Sequence, residues 1–445
     1  MSKVLIIGAA RSGLAAAAFL AQKGEEVIVT DTNLKAQKES EEALKNYEIR
    51  YIWGKQPDID ELAVDMIVVS PGVPLSIAPI RRAKELGIKV IGEVELAYLN
   101  AKAPIVAITG TNGKTTTTTL VGEIFKAAGW ECGVGGNIGV SLLEESEKIS
   151  GAGVLVAEIS SFQLESTEKF KPKAAAILNL TPDHLDRHGD MQGYLAAKAK
   201  IFAMQDENDF LVLNYEDEYL RPLAEKCQSQ VLFFSAKHIL KNGVYVEDKM
   251  IKIAFKGKIS QVCPPEEIRI KGAHNLENAL AAVALCFALG VDEQVIAQVL
   301  RDFKGVEHRL EPVRELDGVL YINDSKGTNP DSTSKALVAY DRPLILIAGG
   351  KNKGLSFLPL AKLIKERVKG VVLVGMAKND IKAALDEVGF SNYVLVEKFE
   401  ETVEAAKKMA DEGDIVLLSP ACTSWDMFKS FEERGELFKK LVNAL

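Results

Sequence analysis

A lysine followed by a threonine, Lys114-Thr115, stands directly behind the glycine-bracketed tetrad Gly110-Thr111-Asn112-Gly113. The apolar run Ile105 to Ile108 precedes the tetrad, and Leu120, Val121, Ile124 and Phe125 continue behind it at helical spacing. A strand, a Gly-rich turn and a helix start, in that order, make a phosphate-binding loop. Backbone N–H groups at the turn and helix N-terminus face outward, and the helix dipole adds partial positive charge. A lysine here reaches terminal phosphates, and the next threonine hydroxyl can ligate Mg2+. Lys114 is thus a candidate catalytic residue, and Gly110, Thr111, Asn112, Gly113, Lys114, Thr115 and Thr116 are candidate nucleotide contacts. The common G-x-x-x-x-G-K-S/T spacing would put its first Gly on Ile108, so this loop is a variant. A plain turn with a solvated lysine is the competing reading, against which strand, Gly pair, Lys-Thr and helix all coincide.

Further polar residues collect just beyond apolar runs. Val154 to Ala157 ends in Glu158, where an acid beside a phosphate loop is a natural Mg2+ ligand; the alternative is a surface helix cap, which Ser160 and Ser161 also suggest. Ala174 to Leu178 leads to Asp183-His184-Leu185-Asp186, and His184 is a candidate metal ligand although a lone histidine is more often structural. Lys198 and Lys200 lie two apart on a helix, so at most one faces a site. Asn137, inside the Gly-rich stretch 133–139, carries both donor and acceptor. Asn275 either meets a base edge or caps a helix. Arg309 and Asp324 either bracket a nucleotide or form a weak surface pair. Lys353 and Ser424 follow later strands and suit a small anion.

These residues need sheets whose strand ends meet. Val4 to Ile7, the turn Gly8 to Gly13 and a helix from Leu14 form a βαβ nucleotide-binding unit with the strand Val27 to Thr30, which ends at Asp31-Thr32. Ala10 replaces the glycine that lets a dinucleotide pyrophosphate approach, which disfavours NAD and leaves room for a mononucleotide diphosphate. Arg11 adds a candidate phosphate contact in that turn. At 445 residues the chain suggests about three domains, set at 1–93, 94–305 and 306–445. Apolar residues at 47% and charged residues at 26% fit a globular protein with ample core, and a net charge of −8 argues against a general nucleic-acid binder. Five cysteines without a C-x-x-C pair fit a reducing compartment. The opening residues read as a first strand rather than a signal peptide, and the longest apolar run, Ala279 to Leu289, is too short to span a bilayer.

TGTNGKTTT (109–117), GGNIG (135–139), EISSFQLE (158–165), NLTPDHLDRH (179–188), AHNLENALAA (273–282), HRLE (308–311), INDSKGTNP (322–330) and LLSPACTSWDMFKSFEERG (417–435) occur in this order. Together they resemble the Mur ligases of peptidoglycan synthesis over essentially the whole chain, and the last segment is most similar to the family's D-glutamate-adding branch. The resemblance implies an α/β protein of three domains: a Rossmann-like N-terminal domain, a central P-loop mononucleotide-binding domain with a parallel sheet, and a Rossmann-like C-terminal domain. It implies a cytoplasmic, monomeric ligase that uses ATP and two Mg2+ ions on UDP-N-acetylmuramoyl-L-alanine and D-glutamate, with no nucleic-acid or membrane partner. By motif, Lys114 meets ATP phosphates, and Thr115, Glu158, His184 and a carbamylated Lys198 serve Mg2+. Asn137 lies near the activated carboxylate, and Asn275, Arg309 and Asp324 meet the ATP base and ribose. Ser12, Asp31, Thr32 and Gly72 match UDP contacts, and Thr328, Lys353 (or the nearby Lys351), Ser424 and Phe431 match the amino-acid pocket. Rivals are a Mur ligase adding another amino acid, a folylpolyglutamate synthase, for which residues 1–93 are unneeded, and a regulatory ATPase, for which the third domain is unneeded.

Overall fold

The computed structural model describes residues 2–445 and contains three sheets. The chain divides into two compact units, one of Met1–Leu180, His188–Glu267 and Glu277–Arg301, the other of Thr181–Arg187, Ile268–Leu276 and Asp302–Leu445.

The first unit holds two sheets. β1 (Lys3–Ile7), β2 (Glu26–Asp31), β3 (Ile49–Trp53), β4 (Met66–Val69) and β5 (Lys89–Gly92) pair in parallel in the order β3-β2-β1-β4-β5. The order reverses at β1, whose carboxyl end opens a crevice. The turn after β1 is tight because the helix Arg11–Gln22 starts over it: a Cβ on Gly13 would lie 1.9 Å from the Gly8 carbonyl oxygen.

The second sheet contains β6 (Ile105–Thr109), β7 (Cys132–Gly136), β8 (Val154–Glu158), β9 (Ala174–Ile177), β10 (Phe210–Asn214), β11 (Gln230–Ser235), β12 (Gly243–Glu247), β13 (Met250–Phe255) and β14 (Lys258–Gln261). Its order is β14-β13-β12-β11-β10-β9-β6-β8-β7. The strands from β7 to β12 are parallel, and β13 and β14 extend the edge as antiparallel hairpins. The sheet is therefore mixed rather than purely parallel, since two-residue turns join β12 to β13 and β13 to β14 and such turns reverse the chain. β6 and β8 are buried throughout because helices cover both faces of a parallel sheet, which is why they read as unbroken apolar runs. Part of the Gly-rich stretch 133–139 is β7; its glycines suit close packing, as a Cβ on Gly133 would meet Ile149 at 2.8 Å.

The second unit is built on β15 (Glu311–Leu316), β16 (Val319–Asn323), β17 (Leu344–Gly349), β18 (Val368–Val374), β19 (Tyr393–Leu395) and β20 (Ile415–Leu418), in the order β15-β16-β20-β17-β18-β19. β15 pairs antiparallel with β16 and the other pairs are parallel. Apolar clusters cover both faces, Leu346, Ile364 and Leu417 in one and Ile347, Val416 and Phe438 in the other. The order reverses around β20, so the carboxyl ends of β16, β17 and β20 converge. Among the described residues no helix is long and apolar enough to cross a membrane.

Candidate active site

The phosphate-loop candidate sits at the reversal of the second sheet, beyond β6 and between β8 and β9. Gly113 takes φ +85°, which L side chains disfavour, and a Cβ there would lie 2.2 Å from Asn278 Oδ1. The first i→i−4 bond of the helix Lys114–Ala127 runs from the Thr117 N–H to the Gly113 carbonyl at 3.0 Å, so the loop and first-turn N–H groups lie outside the helix ladder. The Thr116 Oγ1 is buried without a hydrogen-bond partner in the chain. A glycine-shaped cradle at a helix start, with an orphaned hydroxyl, fits a nucleotide phosphate chain.

The loop is braced from β9, the neighbouring strand. Asn179 Nδ2 donates to the Asn112 carbonyl at 3.0 Å, its Oδ1 accepts from the Asn112 N–H at 2.9 Å, and its carbonyl accepts from the Thr111 N–H at 3.0 Å. Sequence reasoning passed over Asn179, although it lies two residues past β9. The missing information was that β9 lies beside β6.

Two ammonium groups converge on one carbonyl. Lys114 Nζ donates to the Gly110 oxygen at 2.9 Å and to the Thr111 oxygen at 2.8 Å, while Lys198 Nζ donates to the same Gly110 oxygen at 2.8 Å. Lys198 is 1% exposed, and its Nζ lies 4.4 Å from the Tyr194 ring centroid. Lys200 turns away to the Glu165 carbonyl at 2.8 Å, as the two-residue spacing requires. Tyr194 in turn stacks on His188, whose Nε2 is 3.0 Å from Ser161 Oγ. Tyr194 and His188 were overlooked; both lie inside motifs read only for Lys198 and His184.

Glu158, at the end of β8, is 1% exposed and so not a surface cap; Ser160 supplies the cap, accepting from the Gln163 N–H at 3.3 Å. Glu158 Oε1 accepts from Asn137 Nδ2 at 2.8 Å, and its carbonyl accepts from the Asn137 N–H at 2.8 Å. Thr115 is 2% exposed. Hydroxyl and carboxylate oxygens suit a hard cation such as Mg2+, which keeps waters and takes phosphate oxygens instead of needing an all-protein cage. Among the described residues no group of three or more His, Cys, Asp or Glu is placed to hold a metal ion. The unmodified Lys198 is a donor and not a ligand.

In the first sheet, Asp31, Thr32 and Gly72 line one cavity of about 230 Å³ together with Gly8, Lys55 and Gln56. Asp31 Oδ2 accepts from the Ala9 N–H and its Oδ1 from the Asn33 N–H, both at 2.8 Å, which fixes the turn after β1. Ser12 lies in the first turn of the helix Arg11–Gln22, half-buried, and is not among the residues lining this cavity.

In the second unit, His184 has φ +53° and its Nε2 lies 3.6 Å from Asp183 Oδ2. Asp183 also faces Lys353, with Nζ 3.5 Å from Oδ1. Lys351 is exposed, and its backbone is tied to Thr423 by N–H to carbonyl bonds of 2.9 and 3.1 Å. Asp324 is 2% exposed, and burial pushes its carboxyl up to about 6 against the opposing charge of Arg309 and a 2.7 Å bond from Ser419 Oγ. Asp324 is therefore no surface residue, and the Arg309 Nε–H is buried without a partner in the chain. Asn275 Nδ2 donates to the Lys271 carbonyl at 2.8 Å within the first turn of its helix. Thr328 and Phe431 are half-buried and Ser424 is 2% exposed. Lys326 Nζ lies 5.0 Å from the Phe431 ring centroid. Arg434, overlooked in the sequence, is 0% exposed and holds the strand ends together, donating to Ser325 Oγ at 2.9 Å and the Cys422 carbonyl at 3.2 Å.

A phosphate loop on one sheet and polar strand ends on two others describe an enzyme that brings a nucleoside triphosphate to further substrates. Residues 2–92 match the Mur ligase MurD-like N-terminal domain, residues 108–286 the Mur ligase middle domain, and residues 308–422 the Mur ligase glutamate ligase domain. The chain belongs to the Mur ligase family, ATP-dependent ligases that use Mg2+. It is 52% identical over 444 residues to the UDP-N-acetylmuramoylalanine–D-glutamate ligase of Pelotomaculum thermopropionicum, covering 100% of this chain and 98% of the relative. It is 48% identical over 447 residues to the protein of the same name from Clostridioides difficile, covering 100% and 98%. Its fold is similar to that of the UDP-N-acetylmuramate–alanine ligase of Thermotoga maritima, with a TM-score of 0.62 at 21% identity over 100% of both chains.

Proposed function

We propose that this chain joins D-glutamate to UDP-N-acetylmuramoyl-L-alanine at the expense of ATP, as a monomer in the cytoplasm, in the synthesis of peptidoglycan precursors. The observation that carries the reading is the end-to-end likeness, near 50% identity, to relatives bearing that activity in their names.

A carboxylate is a poor electrophile, and phosphorylation supplies the leaving group. An oxygen of the L-alanyl carboxylate attacks the γ-phosphorus, and ADP leaves. The D-glutamate amine, having lost a proton, then attacks the acyl carbon, and the tetrahedral adduct collapses as the C–O bond to phosphate breaks. Bringing two anions together needs positive charge in a water-poor site. Lys114 serves the phosphates, within the loop Gly110 to Thr116. Thr115, Glu158, His184 and a carbamylated Lys198 are the residues that would serve Mg2+, which would neutralise phosphate charge. The meeting of Lys114 and Lys198 at the Gly110 carbonyl supports carbamylation of Lys198: two like charges repel there, and a carbamate replaces one of them with an anionic oxygen donor. Asn137, held to Glu158, orients the reacting carboxylate. Asp31, Thr32, Gly72 and Ser12 take the UDP moiety; Asn275, Arg309 and Asp324 take the adenosine. Thr328, Lys353, Ser424 and Phe431 take D-glutamate, with Lys353 on one of its carboxylates.

The test is phosphate release from ATP with UDP-N-acetylmuramoyl-L-alanine and D-glutamate, L-glutamate, L-alanine or L-lysine supplied singly. Release requiring both the UDP-sugar and D-glutamate is expected. Release with another amino acid would move the chain to a sister specificity, and release without the UDP-sugar would overturn the substrate assignment.

A further inference from the structure

Arg11 is not explained by the roles above. It opens the helix after the β1 turn, yet its guanidinium reaches the second sheet of the same unit. One terminal N–H group donates to the Gly139 carbonyl at 2.5 Å and the other to the Gly136 carbonyl at 3.3 Å. Those carbonyls bracket Asn137-Ile138, and Asn137 is bonded to Glu158 through both its side chain and its backbone. The far end of the same loop is fixed separately. Glu93, 2% exposed, accepts from the Leu143 N–H at 2.8 Å through Oε1, at the start of the helix Leu142–Lys148. Glu93 and Arg11 also attract each other electrostatically.

We propose that Arg11 is a positioning residue that couples a diphosphate at the β1 turn to the placement of the Asn137–Glu158 pair in the nucleotide site. The inference rests on the functional reading above. The physical basis is the donor count: guanidinium offers five N–H groups in a rigid plane, and two engaged with carbonyls leave three for a neighbouring anion. A diphosphate seated at the helix start holds the guanidinium, which holds the loop carbonyls, and the loop carries Asn137. A contact serving the diphosphate alone would have no reason to seek these carbonyls.

The experiment is titration calorimetry of UDP on the full chain, with and without a nonhydrolysable ATP analogue and Mg2+. In the wild type, each ligand should tighten the other by about 5-fold or more, the lower end of typical coupling between sites. In Arg11→Met the ratio should fall towards 1, with UDP affinity in the absence of nucleotide also weakened by loss of the diphosphate contact, and kcat should fall more than KM for the UDP-sugar is raised. Arg11→Lys, which keeps charge and one donor direction, should recover part of the coupling. Wild-type binding of both ligands without coupling overturns the inference, as does coupling that persists in Arg11→Met. A variant that weakens UDP alone makes Arg11 a phosphate contact and also overturns it. Failure of the wild type to bind either ligand overturns the functional reading itself, and the inference with it.

Discussion

Lys198 and Lys353 are buried or half-buried cations whose neighbours differ, and their predicted phenotypes differ accordingly. Lys198 meets a carbonyl already occupied by Lys114. If it works as a carbamate, Lys198→Ala should lose nearly all turnover and regain a part with a short carboxylic acid supplied in solution. Steady-state assays with and without the acid check this, and an active variant, or an inactive one without rescue, removes the carbamate role. Lys353 faces Asp183 at 3.5 Å, and a substrate carboxylate would replace or join that partner. Lys353→Ala should raise KM for D-glutamate by about 10-fold or more while leaving KM for ATP within about 3-fold, in line with the loss of a charge-assisted contact. Equal effects on both constants would argue against the assignment. At this scale contiguous motifs indicate where residues lie, Lys114 at a helix start, Glu158 at a strand end and Lys198 on a helix. The sequence was silent on partners that arrive from elsewhere in the chain. Asn179, Tyr194, Asp183 and Arg434 carry no mark of what they will touch.

The helix Glu93–Asn100 opens with two buried acids that settle differently. Glu95 accepts N–H groups from Glu168, Lys169 and Phe170 at 2.8 to 3.0 Å. The Glu93 Oε2 has no partner, and burial pushes that carboxyl from 4.5 up to about 7. The folded chain therefore keeps a proton that the unfolded chain releases between those values. The stability owed to this group is intact below about 4.5, is lost as pH rises towards about 7, and changes no further above it. Glu93→Gln keeps the acceptor for the Leu143 N–H and removes the titration. Denaturation midpoints measured from acid to mildly alkaline pH should show the variant gaining on the wild type across that window, by on the order of 3 kcal/mol at the end. A constant difference across pH would mean that Glu93 is as readily ionised folded as unfolded. Element types were easy to read where a strand is fully buried, as in β6 and β8, because an unbroken apolar run has one reading in an alternating α/β pattern. They were harder at Cys132–Gly136, where glycines chosen for close packing resemble a loop.

For the whole molecule, the three sheets share one plan: the strand order reverses at β1, at β6 and at β20, and the candidate residues hang on the strand ends there. A ligand that binds only the folded chain stabilises it, by about 2.7 kcal/mol at a hundred times its dissociation constant. UDP and a nonhydrolysable ATP analogue with Mg2+ should each raise the thermal midpoint, and together raise it more than either alone. Thermal melts at saturating ligand check this, and a midpoint unmoved by UDP would argue against the β1 cavity as its seat. The three-sheet plan was legible as alternation of strand and helix, but strand order was not, because parallel neighbours are joined through helices and their adjacency is decided by packing. The cavity beyond β1 has a consequence for inhibitor discovery. At about 230 Å³ it falls below the roughly 300–1,000 Å³ typical of sites for drug-sized molecules. A screen aimed there should start from small polar fragments that use the Asp31 oxygens and the Thr32 hydroxyl. Affinity would then come from extending them along the Gly8–Gly13 turn rather than from filling the hole.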